Sequence, residues 1–339
     1  MTRVSCARPL VVLITLAGLG CGTECLRIED LEIPEQPVAL YRGQLPPASG
    51  TVAILGDTQR TSWQECTIGR EVNDREQLVL LESLRRASPD LVVLVGDAVF
   101  DGSSAGHWSY FDRLMRGLRE DDVSILPALG NHDYWGDNER ALARVRERFP
   151  RLSAQTWYAD VWGSVGMIWL DSNVADVGDG WDAQRRWLET TLADFDARPE
   201  VRGVLVFLHH PPYTNSTVIA PDEAVRSAFV GPFCDSHKTL AMFSGHAHGY
   251  ERFERGAAEG CGARTRQLIV SGGGGGPRPS SLRQGAETGQ QDAFVSPAPR
   301  PFNYVLLTQS ERGLSARVVG LDSAERETRE IERYELAFE

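Results

Sequence analysis

Five apolar runs, each ending abruptly in a polar cluster, constrain this chain more than any other feature. Thr51–Leu55 runs into Gly56-Asp57-Thr58-Gln59, and Leu91–Val95 into Gly96-Asp97. Val123–Leu129, broken only by Ser124 and Pro127, runs into Gly130-Asn131-His132-Asp133. Val204–Leu208 leads to His209-His210-Pro211-Pro212, and Leu240–Phe243 to Ser244-Gly245-His246-Ala247-His248. Short apolar runs bounded by turn residues read as strands buried on both faces. The ends of such strands are where α/β sheets present their chemistry.

Helical patterns fill the gaps. Arg70–Arg86 carries Leu78, Leu81 and Leu84 at near-helical spacing and is stopped by Ser88-Pro89. His107–Arg119, Asn138–Phe149 and the amphipathic Asp182–Asp196 are further helices, and Val165–Leu170 is another strand ending in a polar cluster. Later segments, 267–270, 304–307 and 314–319, read as strands without intervening helices, separated by a long Gly- and Pro-rich loop over 272–300. Alternation followed by a strand-rich end defines an α/β fold. One catalytic domain is expected over 49–325, with a tether over 22–48 and a C-terminal tail over 326–339.

The 339-residue chain carries 47 acidic and 35 basic residues, a formal charge of −12. That balance argues against nucleic acid or an anionic membrane as a general partner. It leaves room for a small phosphorylated substrate, since a bound metal dominates its own site. At the N-terminus, Arg3 and Arg8 precede an apolar stretch, Leu10–Leu19, too short to span a bilayer. Gly18-Leu19-Gly20-Cys21 then resembles a bacterial lipoprotein signal, which would make residues 1–21 a signal peptide with lipid on Cys21. Plain secretion after cleavage nearby is the alternative, and both readings place the mature chain outside the cytosol. Export permits disulfides. Cys25, Cys66, Cys234 and Cys261 allow three connectivities, of which Cys234–Cys261 is favoured because the two bracket one hairpin-like region.

The strand ends offer Asp57, Asp97, Asn131, His209, His246 and His248, at successive separations of 40, 34, 78 and 37 residues up to His246. Carboxylate and amide oxygens mixed with imidazoles suit Fe, Mn or Zn. A single strand-end Asp or His is more often a cap or a satisfied core group. Five such clusters in series are not explained that way. No P-loop lysine is present, which removes the usual nucleotide-cradle alternative.

The order GD, GD, GNHD, HHPP, GHAH resembles the calcineurin-like metallophosphoesterase superfamily, and GHAHGYER at Gly245–Arg252 is especially similar to purple acid phosphatases. The resemblance covers about residues 50–320. It implies an αββα sandwich of two mixed sheets flanked by helices, and a binuclear metal centre of Fe, Mn or Zn ions. It also implies phosphoric ester hydrolysis, by preference of monoesters. Asp97 would bridge two metals. One would take Asp57, Asp97 and His248, with Gln59 as a weaker amide ligand; the other would take Asp97, Asn131, His209 and His246. His132 would act on the leaving group, oriented by Asp133.

Two departures mark the first site. Gln59 stands where most of the superfamily has His, and Phe100 stands where purple acid phosphatases place a ligating Tyr. Other readings therefore stay open: a phosphodiesterase or nucleotide pyrophosphohydrolase on the same centre, or an exported binding protein whose first metal site has decayed. Trp63, Trp108 and Trp135 lie near the motifs as candidates to stack on a base.

Overall fold

All five apolar runs become parallel strands, and every polar cluster lies at a C-terminal strand end. The computed structural model describes residues 25, 37–178, 180–278, 293–294, 296 and 300–338. The signal segment and Cys21 lie outside the described residues, as do most of the loop after Arg278 and the stretch 26–36. Among the described residues no helix is long and apolar enough to cross a membrane.

Strands β1 (Thr51–Leu55), β2 (Leu91–Val95) and β3 (Ser124–Ala128) are joined by β10 (Phe302–Ser310), β11 (Gly313–Asp322) and β12 (Glu327–Ala337). The order in this first sheet is β12-β11-β10-β1-β2-β3, with β1, β2 and β3 parallel and the rest antiparallel. The second sheet holds β4 (Tyr158–Trp162), β5 (Val165–Trp169), β6 (Gly203–Phe207), β7 (Thr239–Ser244), β8 (Tyr250–Arg255) and β9 (Arg266–Ser271). Its order is β4-β5-β6-β7-β9-β8, parallel from β5 to β9 with an antiparallel strand at each edge. The fold is the two-sheet α/β sandwich that the motif order implies.

The pleat explains the layering. Along β5 and β6, Met167, Trp169, Leu205 and Phe207 enter the core shared with the first sheet. Their neighbours Ile168, Leu170, Val204 and Val206 instead join Leu188, Leu192 and Phe195 of the helix Gly180–Ala197. Strands β5 and β6 thus bury one face against the other sheet and one against a helix, which requires apolar residues along their length. On the first sheet, the helix Asp74–Arg86 buries Leu80, Leu81 and Leu84 in the shared core. At roughly 1.5–3 kcal/mol per fully buried Leu, Phe or Met, this interior supplies the main drive for folding.

Several expected boundaries move. The helix expected from Arg70 begins at Asp74, because Asn73 Nδ2 is committed to the carbonyls of Gly275 (3.2 Å) and Gly276 (3.4 Å). The helix expected over His107–Arg119 is two, Ala105–Leu114 and Arg116–Glu120, broken at the buried Met115. The expected tail over 326–339 is a correction: Glu327–Ala337 is β12, paired antiparallel to β11 from Gly313↔Ala337 to Asp322↔Glu327. The end of the expected tether also packs down. Ala39 and Tyr41 are buried, and the Tyr41 ring stacks on Phe149 at 4.9 Å while its hydroxyl donates to Asp112.

Cys234 and Cys261 are bonded, as expected, and Cys25 pairs with Cys66 across 41 residues. Cys66 of the second bridge lies in the short helix Trp63–Thr67. That helix is closed by a capping box, in which Ser62 Oγ accepts from Glu65 N at 3.2 Å and Glu65 Oε2 accepts from Ser62 N at 3.0 Å.

Candidate metal centre

The strand register carries the ligand-type residues into one place. Asp57 and Asp97 each lie two residues past their strand, Asn131 three past β3, and His209 and His246 two past β6 and β7. The backbone turns sharply there. Asp57, Asp97, His246 and His248 all have positive φ, at 59°, 53°, 66° and 38°, and make up four of the seven such non-glycine residues described. Left-handed conformations in bulky residues cost free energy and persist where the surrounding structure enforces them, commonly at functional sites. Gly96, at φ 90°, has a different reason: a Cβ there would lie 2.3 Å from His209 Nδ1, so only glycine lets that ring approach.

The side chains gather on two sides of Asp97. His209 Nε2 lies 3.4 Å from Asp97 Oδ2, 3.2 Å from Asn131 Oδ1 and 3.1 Å from His246 Nδ1. On the other side His248 Nε2 is 3.4 Å from Asp57 Oδ1 and 3.1 Å from Gln59 Nε2, which in turn is 3.2 Å from Asp97 Oδ2. Asp57, Asp97 and His209 are fully buried, and one ligand atom from each lies within 4.8 Å of the others.

Three backbone carbonyls set the imidazole tautomers. His209 Nδ1 donates to Val95 O (2.9 Å), His248 Nδ1 to Pro277 O (2.8 Å) and His132 Nδ1 to Phe100 O (2.7 Å). A carbonyl only accepts, so each Nδ1 carries the hydrogen and each Nε2 lone pair faces the centre. His246 is reversed and brings Nδ1 inward.

The donor set fits metal ions. Among the described residues neither Asp57 nor Asp97 meets a lysine or arginine, although both are at 0 % exposure. Buried carboxylates without a counter-charge are costly, and a cation is the counter-charge that mixed oxygen and nitrogen donors accept. Gln59 Oε1 is buried without a hydrogen-bond partner. Exchanging its amide oxygen and nitrogen, which are assigned by hydrogen bonding alone, turns a donor-facing amide into a ligand oxygen beside Asp97 and His248.

The metal-free charges separate in the same way. Burial raises the Asp57 carboxyl above its ordinary range, partly offset by His248. Burial also opposes ionisation of Asp97, but His209 and then His132 hold that carboxyl well below the usual range. Burial disfavours the His209 imidazolium, yet Asp97 beside it pushes its pKa up to about 9. His246 is held well below the ordinary histidine value by burial and then by His209, and His210 is pushed down to about 3 by the same causes.

Asp133 departs from expectation. Its carboxylate accepts from the backbone N–H groups of Ala98 (3.0 Å), Val99 (3.4 Å) and Gly130 (2.9 Å). It therefore ties the β2 and β3 turns together and does not orient His132, a task that falls to the Phe100 carbonyl. Burial and then the Asp97 charge push its pKa up to about 7. His132 keeps its expected position, with Nε2 4.0 Å from Asp97 Oδ2. Phe100 packs its ring against that of His132, with centroids 4.9 Å apart. Of the three tryptophans, Trp108 is fully buried and packs in the core, whereas Trp135 is 45 % exposed with its ring 3.7 Å from that of His132. His210 Nδ1 lies 2.9 Å from Ser172 Oγ and its ring 4.7 Å from that of His246.

A cleft opens above this floor. Asp97, His132, His246 and His248 line it, with walls that include Arg70 and Ser216. Sequence reasoning did not find Arg70, which belongs to no motif and is placed by its contact to the Pro277 carbonyl.

A fold of this kind with ligand-type residues at these strand ends defines a metallophosphoesterase-type sandwich. The calcineurin-like phosphoesterase family model matches residues 50–250, and the chain belongs to that family. It is 27 % identical over 233 residues to purple acid phosphatase 22 of Arabidopsis thaliana, a match covering 64 % of this chain and 49 % of that protein. It is 28 % identical over 170 residues to a Synechococcus protein named "Probable cyclic nucleotide phosphodiesterase", covering 49 % and 60 % of the two chains. Among solved structures, a purple acid phosphatase from yellow lupin (Lupinus luteus) seeds superposes with a TM-score of 0.59 at 16 % identity, over 88 % of this chain and 55 % of that one. The chain spans about half the length of the purple acid phosphatase relatives it matches.

Replacing Gln59 by His is expected to tighten the first metal position at least about 10-fold, since an imidazole replaces a weak amide donor. Competitive chelation, read as metal retained per protein, measures it. Unchanged retention would place Gln59 outside the donor set.

Proposed function

We propose that the chain is a metal-dependent phosphomonoester hydrolase with two metal ions held about Asp97. One would be held by Asp57, Asp97, His248 and Gln59, the other by Asp97, Asn131, His209 and His246. The observation that carries this reading is the shared, fully buried Asp97 carboxylate with no lysine or arginine against it among the described residues. Bound there, such a pair supplies Lewis acidity toward phosphoryl oxygens and lowers the pKa of a water to about 7. The residues do the rest. His132, locked by Phe100, keeps Nε2 at the cleft side of Asp97, where its protonated form hands a proton to the departing oxygen. The Asp133 carboxylate holds the turns that aim Asp97 and Asn131.

The substrate is a small phosphorylated molecule, and the acidic surface disfavours nucleic acid. The two disulfides support export, with lipid on Cys21 as the anchor. Trp135, half exposed against His132, favours as second reading an aromatic or nucleoside ester, including a diester.

The test uses the exported chain, stripped of metal and reloaded with Fe, Mn, Zn or Mg, on a chromogenic monoester and the matching diester. Metal-dependent turnover favouring the monoester is expected. Preference for the diester selects the second reading, and no turnover with metal bound points to a binding protein.

A further inference from the structure

The cleft above the metal floor is unevenly charged. Among the described residues, and apart from the histidines of its floor, Arg70 is the one cationic lining residue; Glu65, Ser216, Val218 and Ile219 also line the cleft. The guanidinium is half-buried, and Nη2 donates to the Pro277 carbonyl at 2.7 Å. The same oxygen accepts from His248 Nδ1 at 2.8 Å, so one carbonyl atom separates Arg70 from an imidazole of the metal floor.

Arg70 is not spent on an ion pair. The nearest carboxylates by sequence are both engaged elsewhere. Glu65 closes the capping box with Ser62, and Glu71 receives Arg278 Nε at 2.8 Å and Asn73 Nδ2 at 3.2 Å. Among the described residues no Asp or Glu lies within ion-pairing distance of Arg70. Its backbone is fixed nonetheless: Arg70 N donates to Glu65 O at 2.9 Å. A pre-positioned guanidinium with open donors recognises a planar or tetrahedral oxyanion by paired hydrogen bonds. The segment that leads to Ser216 is also fixed. Glu251, fully buried and paired with Arg300, accepts from Thr214 Oγ1 and Asn215 N just before Ser216. Ser216, Val218 and Ile219 bring a hydroxyl and two aliphatic side chains to the cleft, and the Glu65 carboxylate that also lines it accepts from Ser62 N and Oγ.

We propose that Arg70 determines specificity by binding a second anionic group of the substrate, a carboxylate or a phosphate, a few atoms from the phosphoryl group seated on the metal floor. This rests on the proposed phosphoester reading and narrows it to esters carrying two separated anions.

The test reads binding without turnover. Calorimetry on the metal-loaded protein compares propylphosphonate with 3-phosphonopropionate and with propane-1,3-diylbisphosphonate, which add a carboxylate or a second phosphonate at the far end. Wild type should bind at least one two-anion ligand roughly 10–100-fold more tightly than propylphosphonate, and which of the two is tighter identifies the anion. Arg70→Gln should abolish that preference while holding propylphosphonate within about 3-fold, which also reports an intact fold, and Arg70→Lys should restore part of it. Absence of the preference in wild type overturns the proposal. So does an equal loss on all three ligands in Arg70→Gln, which would place Arg70 on the reacting phosphoryl group. A protein that keeps the preference yet hydrolyses no ester loses the functional reading and retains this one. A protein that hydrolyses monoesters without the preference loses only this one.

Discussion

On the proposed two-metal reading, Asp97→Asn is expected to empty both positions and to abolish ester hydrolysis. The reason lies in how one carboxylate is shared. Oδ2 lies 3.4 Å from His209 Nε2 and 3.2 Å from Gln59 Nε2, so it faces both donor groups, while Oδ1 accepts from His132 N at 2.9 Å. Asparagine preserves the volume and can still accept from His132 N. It removes the negative charge and directs an amide N–H₂ at groups arranged to hold a cation. Loss of a partner that merely orients a ligand costs roughly 10–100-fold in metal affinity. A direct ligand common to both ions should therefore cost more than about 100-fold, and turnover at a fixed metal concentration should fall with it. Metal content after dialysis, measured by atomic emission beside the initial rate, checks both. Wild-type metal content in Asp97→Asn would refute the shared-ligand geometry. Normal content with lost turnover would confine Asp97 to a role in the reaction.

The six strand-end ligand candidates and Gln59 were legible in the sequence because their chemistry is carried by side-chain identity at the end of an apolar run. Val95, Leu55 and Phe207 announce a buried strand, and the polar residue that follows has no packing reason to be there. The groups that complete the site leave no such trace. Val95, Phe100 and Pro277 hold three imidazoles through backbone carbonyls, which every residue possesses. Asp133 looked like a partner for the adjacent His132, but in the fold its oxygens reach N–H groups 34 and 35 residues earlier. Arg70 is placed by its contacts to Glu65 O and to Pro277 O, and a partner 207 residues away leaves no trace in short-range spacing. At the C-terminus, β12 is hidden by its charge: Glu327–Ala337 carries Glu or Arg at six of its positions and exposes most of them. A polar edge strand of that kind resists pairing with other chains, and it reads as a tail for the same reason.

His132→Ala should separate catalysis from metal binding. The ring contributes nothing to the metal donor set, since Nδ1 is spent on the Phe100 carbonyl and Nε2 stops 4.0 Å from Asp97 Oδ2. The backbone N–H of residue 132, which does hold Asp97, survives the substitution. Metal content should stay at the wild-type level while kcat falls roughly 10²–10⁴-fold, the usual worth of a positioned proton donor. The loss should depend on the leaving group. An alkoxide needs the proton and should show the full effect, whereas a dinitrophenolate departs without one and should lose about 10-fold or less. His132→Gln makes the same comparison with a side chain that can still reach the Phe100 carbonyl but cannot carry a proton at Nε2. Equal losses on both esters would mean that His132 binds the phosphoryl group without protonating the leaving oxygen. Unimpaired turnover in His132→Ala would remove the residue from the reaction and leave Trp135, whose ring lies 3.7 Å away, as the nearest aromatic group beside the departing group.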